Sequence, residues 1–317
     1  MHELVREFWT RTPRREALAR LRSAPHTTLL ACFAAGQRHP AWVAKLACDE
    51  PRRAVLRREH AVLCRLHSHA LELGAPRALA WADSGREACL TLSGLPGAIP
   101  PWQCGPGRLG SAAVRLLHHA SHWIQRLQAL VPVVADRRQA PPTVQHLAAE
   151  LIAERRRIPD QWPIAALLAA VQAECRQPPL PAVSCHGDFW VGNLLRAGRR
   201  LHVVDWNGLG PGSPLDDYWL LVTKSPPPRG LSRWQLLERQ LFRPGPLAHR
   251  LRRAAPCALP PPALRLSFYL FLARRLRWEA GLALQPRTAW HQETSRREWL
   301  PVLQALEERA FPPPFRA

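Results

Sequence analysis

The spacing of apolar and polar residues changes character about a third of the way along the chain. In the front part, short apolar runs bounded by turn residues predict strands. They lie at Thr27–Phe33 and Ala41–Leu46 around Gly36–Pro40, and over 77–93 around Asp83-Ser84-Gly85. Between them, Val55, Leu56, Val62, Leu63 and Leu66 recur at near-helical spacing with charges in between, which predicts a helix over 51–73. The stretch Gly94–Gly110 is rich in Pro and Gly and reads as a connection. Behind it, helical periods dominate at about 110–131, 143–157, 163–175, from Asp216-Asp217 onward, and near 231–242, 262–283 and 288–310. One segment breaks that run. Over 183–207, two short apolar stretches flank a Gly-containing basic turn, the mark of a hairpin. Strands first and helices afterwards imply an α+β chain of two lobes, divided near 93–98 into residues 1–93 and 94–317.

Composition narrows the class. A chain of 317 residues with 47% hydrophobic content can bury two sizeable cores. No segment reaches the roughly 18 uninterrupted apolar residues of a membrane span. Arg14-Arg15 is followed by Glu16 and a long gap before any apolar run, which argues against an export signal. The eight cysteines include no Cys-x-x-Cys pair, so they read as reduced thiols of a cytoplasmic protein. The net charge of +20 is almost all arginine, and residues 218–317 carry seventeen Lys and Arg against six Glu and no Asp. Such a balance favours anionic partners. The arginines are dispersed, however, and no nucleic-acid motif accompanies them, so the charge is read as compositional and nucleic acid is not the expected partner.

The richest chemistry sits in His186-Gly187-Asp188-Phe189-Trp190-Val191-Gly192-Asn193, followed by Val203-Val204-Asp205-Trp206. A hairpin brings its ends together, so Asn193 and Asp205 should lie side by side, with Asp188 on the loop leading in. Two oxygen ligands at a hairpin mouth suit a hard cation such as Mg2+. A further carboxylate nearby is what phosphoryl transfer uses to orient an attacking hydroxyl. Lys45 is one of only two lysines and ends an otherwise apolar strand. A part-buried ammonium there needs an anionic partner, and phosphates together with Glu59 would supply it. Glu50 competes with Glu59 for that place, and either could be an ordinary solvated helix charge. The aromatic cluster Phe268, Tyr269, Phe271 and Trp278 reads as core, and His118, His119 and His122 as helix-surface histidines.

These residues resemble the aminoglycoside phosphotransferase and choline kinase family, a branch of the protein-kinase-like fold. His186-Gly187-Asp188 with Asn193 matches that family's H-G-D-x-x-x-x-N loop. Asp205-Trp206 matches its metal-binding aspartate, and Gly210, Pro214 and Asp217 fit its following G…P…D element. The resemblance implies a small β-rich N-lobe, a larger helical C-lobe, and transfer of phosphate from ATP with Mg2+ to a hydroxyl of a small molecule. It makes Asp188 the catalytic base, and Asn193 and Asp205 the Mg2+ ligands. Lys45 would contact phosphate and pair with Glu59. The backbone of Leu90, Thr91, Leu92 and Ser93 would read the adenine edge, while His186 and Asp217 would brace the loop. Two departures stand out. The expected phosphate-covering turn, Leu21–His26, holds no glycine, and Asn207 stands where an acidic residue often follows Asp-Trp. A neutral or anionic acceptor such as a sugar or head-group alcohol is expected over a polycationic aminoglycoside, because the basic tail would repel one. A non-catalytic ATP-binding protein is the alternative. A protein kinase is disfavoured by H-G-D in place of H-R-D and Asp-Trp in place of D-F-G.

Overall fold

A computed structural model describes residues 17–24, 27–105, 108–133, 143–153, 165–176, 178–226, 249 and 253–283. The helices expected near 231–242 and 288–310, and the Pro25-His26 connection, lie outside the described residues. The chain divides into two compact units, Met1–Pro100 with His186–Leu209, and Pro101–Cys185 with Gly210–Ala317.

The first unit is built on an antiparallel sheet of strands β1 (Ala17–Ala24), β2 (Thr27–Phe33), β3 (Trp42–Ala47), β4 (Ala78–Asp83) and β5 (Ala88–Ser93), ordered β1-β2-β3-β5-β4. Strands β2 to β5 fall where the apolar runs predict them. Strand β1 was not anticipated: Ala-Leu-Ala-Arg-Leu-Arg-Ser-Ala has no β-branched or aromatic residue, so only its pairing with β2 makes it a strand. Leu21–Ala24, expected in the phosphate-covering turn, belong to β1. Alternation along β3 sends Trp42, Ala44 and Leu46 into a core with Leu30, Cys32 and Cys89. Val43 and Lys45 therefore point to the opposite face.

Helix α1 (Glu50–Arg65) follows β3 and is capped by the Asp49 carboxylate, which accepts from the Arg52 amide at 3.0 Å. Its buried positions are Leu56, Glu59, Val62 and Leu63, so a carboxylate occupies one site in an apolar stripe. The single helix expected over 51–73 is broken. After a 3-10 turn at His67–His69, a short helix α2 (Ala70–Leu73) ends at Gly74 in the left-handed conformation. The same unit contains the expected hairpin, with strands Leu194–Ala197 and Arg200–Val203. Together these place every residue of the candidate site except Asp217 in one unit.

In the second unit, strands β6 (Cys104–Gly105) and β7 (Arg108–Leu109) precede α3 (Ser111–Leu130), α4 (Val144–Ala153) and α5 (Ala165–Glu174). Then come strand β8 (Val183–Cys185), its partner β11 (Gly210–Gly212), α6 (Asp216–Lys224) and α7 (Pro261–Ala283). Ala113, Leu116, Leu117, Ala120, Trp123, Ile124 and Leu127 give α3 one continuous buried stripe. Phe268, Tyr269 and Phe271 are buried on α7 as expected for core, with Phe268 edge-on to Trp219 of α6; the side chain of Trp278 is outside the described residues. His118 and His122 are exposed on α3.

Candidate active site

Between β8 and β11 the chain forms a loop and a hairpin of β9 (Leu194–Ala197) and β10 (Arg200–Val203). Arg200 pairs with Ala197 and Val203 with Leu194, closing the hairpin over Gly198-Arg199. At its mouth the Val204 amide donates to the Asn193 carbonyl at 3.0 Å. The ends that carry Asn193 and Asp205 are therefore tied main chain to main chain.

The loop is held by its own residues. Asn193 is buried, and its side-chain amide donates both to the Asp188 carbonyl oxygen at 2.9 Å and to Asp188 Oδ2 at 2.8 Å. Both amide hydrogens being used, the Asn193 Oδ1 atom is the group left for a cation. His186 is fully buried, and its Nδ1 accepts from the Asp188 amide at 3.3 Å. Its ring stands edge-on to Trp206 at 4.8 Å. Burial drives the His186 pKa down to about 4, so the ring is neutral at physiological pH.

The glycine of His-Gly-Asp has a structural cause. Gly187 has φ 81°, and a Cβ there would lie 2.3 Å from the Gly208 carbonyl oxygen. A Cβ on Gly208 would in turn lie 2.7 Å from the His186 carbonyl oxygen. The two loops thus cross main chain against main chain, and neither crossing point admits a side chain.

The opposite wall comes from β3 and α1. Lys45 Nζ donates to Glu59 Oε1 and Oε2, both at 2.8 Å, and to Asp205 Oδ1. Burial works against the Lys45 charge, but the Glu59 and Asp205 carboxylates outweigh it and raise its pKa. Burial raises the Glu59 pKa, with the ammonium pulling against it. Glu59 Oε1 also accepts from the Trp206 amide at 3.3 Å, tying α1 to the residue after Asp205. Of the two candidates for the lysine's partner, the geometry selects Glu59; Glu50 is exposed and pairs with Arg53.

Asp205 itself is the one non-glycine residue with positive φ among those described, at φ 67° and ψ 59°. Its side chain is 42% exposed while that of Glu59 is 1% exposed. A left-handed aspartate between a strand and a buried Trp is a local strain that the surrounding hydrogen bonds must hold. It aims one carboxylate out of an otherwise sealed cluster. Nothing in the sequence marks this conformation, the Trp206–Glu59 bond, or Gly208.

The remaining expected site residues are placed as follows. Leu90, Thr91 and Leu92 lie inside β5, which is flanked by β3 on one side and β4 on the other. In an antiparallel strand successive residues bond alternately to the two neighbours, so these three are committed to the sheet. Ser93 ends the strand, with its amide donating to the Arg77 carbonyl and its hydroxyl accepting from the Arg77 amide, each at 2.9 Å. Asp217 is buried on α6 in the second unit. There its neighbour Asp216 accepts from Ser213 Oγ and from Arg274 Nη1, both at 2.7 Å.

The sequence profile of a phosphotransferase enzyme family, designated APH, matches residues 30–254, well over half of the chain. The chain belongs to that family. Solved structures agree on the fold. The macrolide 2'-phosphotransferase MphH of Brachybacterium faecium is 18% identical with a TM-score of 0.56, over 92% of this chain and 95% of that one. A choline/ethanolamine kinase family protein of Mesorhizobium loti is 16% identical at TM-score 0.56, over 96% and 94%. A thermostable mutant of aminoglycoside phosphotransferase APH(4)-Ia, solved with ADP and hygromycin B, is 14% identical at TM-score 0.59, over 95% and 97%. No curated protein is a significant sequence match. The chain is therefore an α+β protein of the kinase-like fold, with its sheet in the N-terminal part and its helices in the C-terminal part.

Proposed function

We propose that this family member transfers the γ-phosphoryl group of ATP, with Mg2+, to a hydroxyl of a small molecule. One observation carries the reading: Lys45, Glu59 and Asp205 form a single ionic cluster, drawn from a strand, a helix and a hairpin end 160 residues away. In this reading residues 1–93 bind nucleotide, and residues 94–317 supply the base, the metal ligands and the acceptor contacts.

The donor set fits the cation. Asn193 Oδ1 and the part-exposed Asp205 carboxylate are hard oxygen ligands, and Asp205 already accepts a cationic partner in Lys45. Asn193 and Asp205 would hold Mg2+, which would supply positive charge against the phosphates. Lys45, kept charged by Glu59, adds a second positive point on the phosphates. Asp188, held through Oδ2 by Asn193, orients the acceptor hydroxyl and takes up its proton. In this reading the adenine edge is read by the backbone where β5 ends, after Leu92. The relative captured with ADP supports a nucleotide in this fold.

The acceptor is small, and the relatives' names span macrolides, aminoglycosides and choline or ethanolamine. The seventeen bases against six acids over 218–317 favour a neutral or anionic hydroxyl compound such as a sugar or head-group alcohol. The seven free thiols among the described residues fit a cytoplasmic setting, and no helix described is long and apolar enough to cross a membrane. The test is Asp188→Asn with a metabolite panel and labelled ATP. We expect turnover to fall by at least about 10³-fold with ADP affinity kept within about twofold, since the general base acts only in the chemical step. Turnover unchanged in that variant overturns the mechanism, and binding without turnover by the wild type on every acceptor makes the protein a non-catalytic nucleotide binder.

A further inference from the structure

Asp205 must be held in a left-handed conformation at the end of β10, and β10 is anchored on both edges. On one edge it pairs with β9. On the other, the Val203 amide donates to the Gly74 carbonyl oxygen at 3.1 Å, and Arg200 Nη2 donates to the Leu71 carbonyl oxygen. Successive amides therefore face opposite ways, Val203 toward Gly74 and Val204 toward Asn193. Gly74 and Leu71 belong to the end of α2, far in sequence from the hairpin and outside every motif named above.

The contact is tight. Gly74 has φ 63°, and a Cβ there would lie 2.5 Å from the Leu201 carbonyl oxygen, 3.1 Å from His202 Cα and 3.2 Å from His202 Nδ1. His202 is buried, and its ring packs against this turn and interacts with the Gly74 backbone. Three other glycines share the backbone conformation without the contact: at Gly36 (φ 69°), Gly85 (φ 80°) and Gly198 (φ 60°) a Cβ would meet nothing within 4 Å.

We propose that Gly74 is a positioning residue for phosphoryl transfer, setting the height of β10 and through it the Asp205 carboxylate. A side chain at 74 pushes Leu201 and His202 outward, and Asp205 follows two residues beyond Val203. The proposal rests on the reading of Asp205 as a Mg2+ ligand. A displacement of about 1 Å at a reacting centre can cost on the order of 10²-fold in rate.

The experiment compares Gly74→Ala, Gly74→Asn and Gly85→Ala by titration calorimetry with ADP, with and without Mg2+, alongside thermal melts. Asn tolerates positive φ, so Gly74→Asn keeps the added Cβ while relieving the backbone strain. Arg200→Ala removes an exposed bond to the same turn and serves if the Gly74 variants fail to fold. The expected result is that both Gly74 variants lose about tenfold or more of the Mg2+-dependent gain in ADP affinity, a difference of about 1.4 kcal/mol. Metal-free ADP affinity stays at the wild-type value, Gly85→Ala behaves as wild type, and Arg200→Ala shows a smaller loss of the same kind. Equal Mg2+ gains in Gly74→Ala, Gly74→Asn and Gly85→Ala overturn the proposal; should the Gly74 variants not fold, a full Mg2+ gain in Arg200→Ala overturns it. A wild type whose ADP affinity ignores Mg2+ instead defeats the reading of Asp205 on which it rests.

Discussion

Two ionic clusters in this molecule are made of similar parts and behave differently. In the first unit, Lys45 joins Glu59 and Asp205; in the second, Arg274 joins Asp216, with Ser213 completing the carboxylate's shell. The second is closed. Both Asp216 oxygens are bonded, the other guanidinium nitrogen caps the Pro211 carbonyl at 3.0 Å, and Ser213 reaches Ser267 at 2.6 Å. The first uses a lysine, a point charge on a flexible stem, and leaves one of its carboxylates 42% exposed, against 12% for Asp216. The closed cluster saturates its charges, whereas the open one keeps a carboxylate exchangeable, as the proposed chemistry requires.

The largest effect that could break this contrast is on turnover. Replacing Lys45 and Glu59 together, as Lys45→Met with Glu59→Leu, should cost on the order of 10³-fold in kcat/KM by removing a preorganised charge at the phosphates. Stability in thermal melts should fall by no more than the Trp206 amide's lost acceptor costs, about 1–3 kcal/mol, because exchanging a buried pair for apolar residues of similar volume is itself near neutral. Retained turnover in the double variant would make the pair a structural one. In the closed cluster the pattern should invert. Asp216→Ala is expected to destabilise by about 2 kcal/mol, at the low end because Arg274 is partly solvated, with kcat unchanged per folded molecule. A selective loss of kcat there would erase the distinction.

A pH effect of similar or smaller size follows from His186. Its folded pKa of about 4 lies below the usual value near 6.5, so on acidification the unfolded chain binds a proton first. Its contribution is intact above pH 6.5 and is lost on the way down to pH 4, at about 1.4 kcal/mol per pH unit at most. Burial depresses His202 in the same direction. Denaturant melts between pH 7 and 4 should therefore show a shallower acid slope in His186→Leu than in the wild type. Identical slopes would remove His186 from the account.

Much of the first cluster could be read from sequence because its residues violate local expectation. Lys45 interrupts an apolar strand, Glu59 sits in the apolar stripe of α1, and Asp188, Asn193 and Asp205 recur around a hairpin. Choosing Glu59 over Glu50 needed the structure, since both lie on the same helix and differ only in which face is covered. The sheet was legible for β2 to β5, where alternation and turn residues agree. It failed for β1, whose composition carries no strand preference, and for the end of the helix at 66–74, where a 3-10 turn and Gly74 break the period. The segment expected to read the adenine edge, Leu90–Ser93, falls on a strand that the structure shows to be central, which an apolar run does not reveal. Asp216 and Asp217 are adjacent in sequence, and only packing shows that Arg274 engages Asp216.

The most direct test of the open cluster is ADP binding by calorimetry, with and without Mg2+, in the wild type and in Asp205→Ala. The arrangement of Lys45, Asn193 and Asp205 predicts that Mg2+ tightens wild-type binding by about tenfold or more, near 1.4 kcal/mol, and has no effect in the variant. Equal affinity with and without Mg2+ in the wild type would contradict it.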